Sequence, residues 1–268
     1  MRRVYNEVLD DYLSLPDRVE RIISLDPAAT ETLFMLGFGE KVIATDAFSY
    51  RPSEAKRKLK IGSYTHVNLN LLEELKPDIV FTTMGAQKEL TRKLIDRNFN
   101  VYPLGVATSV SRILNNVILV SLVVNAHNVG RELYQSLLLY LMGYRRLTNK
   151  RPKIYVEFDL GGPISCGYAT HVSDAINLVG GENIFDDISD AYFTPNDNDV
   201  IERNPDLIVY EPKRLTDYEK ERILNYIEKR GLGKFKEKVV FTVGDFLAHQ
   251  GPSFITDGVK FLHSVIPC

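Results

Sequence analysis

The residues best suited to chemistry in this sequence are its loop aromatics. Tyr50, Tyr64 and Tyr192 sit among turn-forming residues, in SYRPSEA, GSYTHVN and SDAYFTPND respectively. A tyrosine on a loop offers a flat apolar face and a hydroxyl, so several of them can hold a large small molecule without reacting with it. The plainer reading, ordinary surface tyrosine, stands beside this one in a chain with 14 tyrosines and no tryptophan.

Patterns for covalent or metal chemistry are missing. His66, His127, His171, His249 and His263 are scattered, with no HExxH and no paired HxxxH, so their spacing supplies no zinc site. There is no GxSxG, P-loop or GxGxxG, and Ser165-Cys166-Gly167 lacks the setting of a nucleophile elbow. Cys166 and Cys268 make neither a disulfide framework nor a metal-binding pattern. Gly161, Gly162, Gly180 and Gly181 read as turn residues. The expectation is a non-enzymatic binding protein with no covalently bound cofactor.

Composition agrees with an ordinary globular protein. Of 268 residues, 44% are apolar and 25% charged, and a net charge of −2 gives no broad electrostatic reason to bind nucleic acid or an anionic membrane. The most apolar run, 117–126, is interrupted by Asn125 and is too short to span a bilayer, so no membrane insertion is expected. The opening MRRVYNEVLDDYLSLP carries acidic residues where a signal peptide needs an apolar run. As written, the chain is expected to be cytoplasmic; it would be extracytoplasmic or at the cell surface if a leader is absent from the sequence.

The elements that must position these residues follow an α/β rhythm. RIISL, KVIATD, DIVFTT and NVYPLG alternate with helical runs from Thr30 to Phe99, and IYVEFDL, DLIVYEP and KVVFTV do so after Lys153. Such alternation predicts mostly parallel sheets flanked by helices. Between them, Ile113, Val117, Val120, Val124, Leu133, Leu137 and Leu141 keep a helical period. This predicts an N-terminal α/β lobe over 1–107, one long linking helix over 108–150 and a C-terminal α/β lobe over 151–268. A break near Gly130, giving two ordinary helices, is the alternative. LLEELKPDIVF and DVIERNPDLIVY echo one another, with Pro77 and Pro205 in matching places. The first strand–loop–helix corner, RIISLDPAATETLF, breaks at Asp26-Pro27 and places Thr30 as a helix cap with Glu31 in the first turn.

Taken in order, SLDPAATE (24–31), SYRPSEA (49–55), NLNLLEELKPD (68–78) and GGENIF (180–185) resemble the class III periplasmic binding proteins, the cobalamin and ferric-siderophore binding family, most closely its cobalamin-binding members. The resemblance covers nearly all of 19–266. It implies two Rossmann-like lobes joined by one long helix, with a cobalamin-like or ferric-chelate ligand between the lobe tips. The ligand set it implies is Pro27, Tyr50, Tyr64, Met84, Gly85, Ile164, Tyr192, Asp245, Phe246 and His249. Members that dock to a membrane permease carry a surface glutamate on each lobe; the matching positions here are Asn70 and Asn198, so both charges are missing. Glu73, Asp197 and Asp199 are the nearby carboxylates able to substitute.

Three functions follow as expectations. The first is a cytosolic binder of a corrinoid or ferric chelate that does not dock to an ABC permease. The second is the extracytoplasmic substrate-binding subunit of an importer for iron-siderophore, heme or cobalamin. The third is an enzyme on a nitrogenase-component-like α/β fold, which the scarcity of cysteines disfavours.

Overall fold

A computed structural model describes residues 1–267 and divides the chain into two compact units. The first holds Met1–Val106, Ser111–Leu138 and Gln250–Pro252; the second holds Ala107–Val110, Leu139–His249 and the stretch from Ser253 onward.

The first unit opens with an antiparallel hairpin of β1 (Arg2–Asn6) and β2 (Asp11–Leu15), whose Val4 and Leu15 enter the main core with Ile22, Leu33, Phe81 and Val120. There follow β3 (Ile22–Ser24), α1 (Pro27–Met35), β4 (Val42–Thr45), β5 (Leu59–Lys60), α2 (Leu69–Leu75), β6 (Ile79–Thr83), α3 (Lys88–Asp96) and β7 (Val101–Leu104). The strand order is β5-β4-β3-β6-β7, and every pairing is parallel. Alternate residues serve opposite faces. Ile22, Phe81 and Tyr102 pack with α1, while Ile23, Val80 and Val101 pack with Leu72 of α2 and Leu90 and Leu94 of α3. A parallel sheet covered on both faces needs apolar residues throughout, and IVFTT of β6 is buried at every position.

α1 begins earlier than its sequence pattern predicts. Asp26, not Thr30, is the cap: its carboxylate accepts from the Ala28 N–H at 3.0 Å, and Pro27 occupies the first helical position. Thr30 lies inside the first turn, fully buried, and donates to the Asp26 carbonyl at 3.0 Å.

The expected single helix over 108–150 is two, α4 (Val110–Val123) and α5 (His127–Met142). The break falls at 124–126, upstream of Gly130. Asn125 adopts a left-handed φ of 59°, and the Ala126 N–H reaches back to the Ser121 carbonyl at 2.8 Å, closing the helix end. Arg2 of β1 donates to the Leu122 carbonyl at 2.8 Å and also to that of Val123, satisfying groups that an unbroken helix would have used itself. Gly130 has a packing role instead: a Cβ built there would collide with the Ser121 side chain.

The second unit contains β8 (Lys153–Asp159), β9 (Pro163–Cys166), α6 (His171–Leu178), β10 (Glu182–Asn183), β11 (Tyr192–Phe193), α7 (Asp197–Arg203), β12 (Leu207–Glu211), α8 (Asp217–Ile227), β13 (Val239–Phe241) and α9 (Lys260–Val265). Its order is β11-β9-β8-β12-β13, with β10 beside β8. β8, β10, β12 and β13 pair in parallel, and β9 is antiparallel to both its neighbours. Cys166 is buried and free, and burial pushes its thiol up to about 12; Cys268 lies outside the described residues. No helix among the described residues is long and apolar enough to cross a membrane.

The echo between the halves extends to atomic detail. α2 and α7 each begin after an asparagine cap, Asn68 and Asn196, and each end on a left-handed residue, Lys76 and Asn204. A Pro-Asp pair follows in both cases. The aspartate then accepts from the backbone at the start of another strand: Asp78 from Arg21 at 2.9 Å, Asp206 from Lys153 at 2.9 Å.

The contact between Gly130 and Ser121 supplies a test. Alanine normally favours a helix over glycine, yet Gly130→Ala should lower unfolding stability by about 1–3 kcal/mol through overpacking, and Ser121→Gly in the same chain should restore most of it. Urea unfolding of the two variants measures this; an undiminished midpoint for Gly130→Ala would contradict the packing described.

Candidate ligand-binding site

Because all five strands of the first sheet run in parallel, the loops leaving their carboxyl ends emerge along one edge. Five of the sequence-predicted residues lie there. Pro27 follows β3, Tyr50 lies on the loop after β4, Tyr64 on the loop after β5, and Met84 and Gly85 directly after β6. Gly85 takes a left-handed φ of 92°, which favours glycine.

These loops are held by buried polar side chains that sequence reasoning did not single out. Gln87 is fully buried and binds three of them at once. Its amide oxygen accepts from the Thr83 N–H at 2.8 Å, and its amide nitrogen donates to the carbonyls of Leu25 and Tyr64, each at 2.6 Å. The loop before Tyr50 is fixed by a second network. Ser49 donates to the Asp46 carboxylate and lies 2.9 Å from the Thr30 hydroxyl, while Lys60 donates to the Thr45 hydroxyl at 2.7 Å and to the Ser49 carbonyl. Burial raises the Asp46 pKa and lowers that of Lys60.

Tyr64 is half-buried and meets Phe48 edge-to-face, ring centroids 6.3 Å apart. Burial, with the carboxylates of Asp26 and Asp46 nearby, raises its phenol pKa, so it stays a neutral hydroxyl. Phe48 is 54% exposed and extends this aromatic surface. The signal that could have found it is an unmatched phenylalanine in a turn. The Arg51 guanidinium lies over the Tyr50 ring at 5.0 Å.

In the second unit, Asp245, Phe246 and His249 lie on the loop after β13, and Ile164 lies in β9 where that strand pairs with the carboxyl end of β8. Tyr192 is corrected: it reads as a loop residue but stands in β11, paired with Cys166, its ring 6.0 Å from that of Phe158. Phe246 meets Phe261 at 5.4 Å. His249 is buried at 7% exposure.

Glu211, at the end of β12, is the clamp for this loop. Its carboxylate accepts from the Leu247 N–H at 2.6 Å and the Ala248 N–H at 2.9 Å. His171, at the start of α6, completes the hold: its Nε2 lies 2.9 Å from the Leu247 carbonyl, which can only accept, so the proton is on Nε2.

GGENIF proves to be architectural. Gly180 has φ 89°, a Cβ on Gly181 would press on Ile176 and Ile154 at 2.9 and 3.1 Å, and Asn183 donates to the Cys166 carbonyl at 2.9 Å. Ile184 and Phe185 belong to the core. Among the described residues, no group of three or more His, Cys, Asp or Glu could hold a metal ion.

The two positions that the resemblance matches to docking glutamates occupy the same place in the repeated corner. Asn70 and Asn198 are each the second residue of their helix, and both are exposed. Two of the three substitute carboxylates are engaged within the chain. Glu73 pairs with Arg97 at 2.6 Å, and Asp197 pairs with Arg230 at 2.7 Å, which also binds the buried Glu157 at 2.7 Å. Asp199 is exposed.

Burial lowers the His171 pKa from 6.5 to about 4. The unfolded chain therefore binds a proton that the folded chain refuses, so the contribution is fully present above pH 6.5 and is lost as pH falls toward 4, by about 3 kcal/mol in all. Unfolding free energies across this window should fall more steeply for the parent chain than for His171→Asn. Equal slopes would show that His171 is not held neutral.

Comparison with known proteins gives the family. The family model described as periplasmic binding protein matches residues 22–226. The vitamin B12-binding protein of Vibrio vulnificus is 28% identical over 198 residues, covering 72% of each chain. Among solved structures, the periplasmic vitamin B12 binding protein of Vibrio cholerae superposes with a TM-score of 0.77 at 22% identity, over 93% of this chain and 97% of that one. The ABC-type Fe3+-hydroxamate transport system structure from Saccharomonospora viridis gives a TM-score of 0.79 at 18% identity, over 98% of each. With two α/β units, mostly parallel sheets and a family match across most of its length, the chain belongs to the periplasmic binding protein family.

Proposed function

We propose that this protein is the substrate-binding component of an ABC importer and takes a large chelate ligand of the cobalamin, heme or ferric-siderophore kind. The observation that carries the reading is the gathering of Pro27, Tyr50, Tyr64, Met84 and Gly85 on one edge of the first sheet, on loops tied down by Gln87 and Asp46. Aromatic side chains on a pre-ordered edge suit a bulky, partly apolar ligand, because little ordering is left to oppose binding. Relatives named for vitamin B12 binding and a structural neighbour named for ferric-hydroxamate transport favour the importer over the cytosolic, permease-free reading, and with it an extracytoplasmic location. The vitamin B12 relatives are binding proteins by name, which favours a non-enzymatic role.

The ligand class is tested by mixing purified protein with cyanocobalamin, hemin and a ferric hydroxamate, desalting, and recording the absorbance spectrum. Retention of one chromophore in about equimolar amount is expected; retention of none would remove the proposal. For the retained ligand, Tyr64→Ala and Tyr192→Ala should each weaken binding by about 1–3 kcal/mol, measured by titration. An unchanged affinity removes that tyrosine from the site.

Docking is proposed to proceed without the family's carboxylate pair, since Asn70 and Asn198 are neutral and Glu73 and Asp197 are committed to Arg97 and Arg230. Complex formation with a reconstituted corrinoid or siderophore permease should be weak for the parent chain and stronger, with marked salt sensitivity, for Asn70→Glu/Asn198→Glu. Tight, salt-sensitive docking by the parent would refute this.

A further inference from the structure

A small cavity in the second unit lies beside the carboxyl end of β8 and belongs to none of the residues assigned above. Its volume is about 150 Å3, and it is lined by Asp159, Pro163, Tyr210, Arg222, Ile223 and Tyr226, among others. The space admits a handful of water-sized groups, enough for a short side arm and too little for a ring system.

Tyr210 gives the cavity its chemistry. The residue lines the cavity, is only 5% exposed overall, and its ring packs against Phe241 at 5.9 Å. A phenol hydroxyl on a cavity wall can serve a polar group that enters the cavity. Burial, with the carboxylates of Glu157 and Asp159 nearby, raises its pKa, so it can both donate and accept.

The charges around it balance. Asp159 lies 3.8 Å from Lys213, Arg222 is paired with Glu219 at 2.7 Å, and Glu157 is answered by Arg230 at 2.7 Å. An anionic group would meet Asp159 unfavourably and a cationic one would meet Arg222. A neutral group that accepts from a guanidinium or phenol at one end and donates to a carboxylate at the other meets neither penalty. Pro163, Ile223 and the Tyr226 ring supply an apolar wall for a methylene stem.

We infer that this cavity is a subsite for a neutral primary carboxamide arm of the ligand, with Asp159 accepting from the amide nitrogen and Arg222 and Tyr210 serving its oxygen. The inference deepens the binding role proposed above and rests on it for biological meaning, but the cavity can be probed independently. Labelled protein is titrated with propionamide, propionate and propylammonium while the Gly162 amide and the Tyr210 and Tyr226 ring resonances are followed by NMR. Propionamide should shift these signals saturably, and the two ions should not. Tyr210→Phe, which keeps the aromatic contact with Phe241, should abolish the response, and Asp159→Asn should admit propionate. No saturable shift with propionamide, an equal response to propionate, or an undiminished response in Tyr210→Phe would overturn the assignment. With cyanocobalamin, whose side arms end in amides, Tyr210→Phe should weaken binding about tenfold. Equal affinity of the parent and variant chains would overturn the subsite. Failure of the parent to bind any of the three chromophores would instead count against the proposed function, leaving the propionamide titration to decide the cavity.

Discussion

Parallel strand pairing is the constraint on which the arrangement depends. When neighbouring strands run the same way, each must be left by a crossover, and every crossover begins at the same edge of the sheet. In the first unit this alone brings the loops after β3, β4, β5 and β6 together, although Pro27 and Met84 are far apart in sequence. The second unit obeys the rule less strictly. β9 turns back on β8, so Ile164 reaches the same end of the sheet from the opposite direction, and Tyr192 is carried on a short strand beside it.

Convergence alone would leave a fringe of loops with unsatisfied backbone groups. Both units answer with buried polar side chains, chief among them one at the end of a central strand or just beyond it, Gln87 in the first and Glu211 in the second. Gln87 is an amide and can bridge carbonyl and N–H groups together; Glu211 is a carboxylate and gathers N–H groups only. The difference matches what each loop presents. Because these bonds are buried, each loop conformation is favoured by the cost of exposing or orphaning the groups it satisfies.

Much of this was legible in the sequence, for reasons that can be named. The β-branched runs VIAT, IVFTT and LIVYE are buried strands, and the Pro-Asp pairs at 77–78 and 205–206 marked matching helix ends. A break into two helices stands in the sequence as the alternative, but near Gly130; its true place at 124–126 is not legible, because an asparagine entering the left-handed region leaves no mark on the helical period. Thr30 reads as a cap because its type suits one, whereas Pro27 starts the helix sooner and makes Asp26 the cap. The roles of Gln87 and Glu211 leave no mark in the sequence because their partners are distant along it; Gln87 bonds to a carbonyl 62 residues away. Tyr64 was legible as an aromatic on a turn, but the acidic surroundings of its hydroxyl were not.

The repeated corner built on α2 and α7 makes the chain its own experimental control. Asp78 and Asp206 perform the same task, receiving a backbone N–H at the start of a strand after a short helix ended by a left-handed residue. The same substitution at both places therefore compares one local interaction in two surroundings under identical temperature, solvent and concentration. A difference in response reports what the neighbouring core contributes, free of the uncertainties that attend comparisons between separate proteins. The duplication thus offers a measure of context dependence in a single polypeptide.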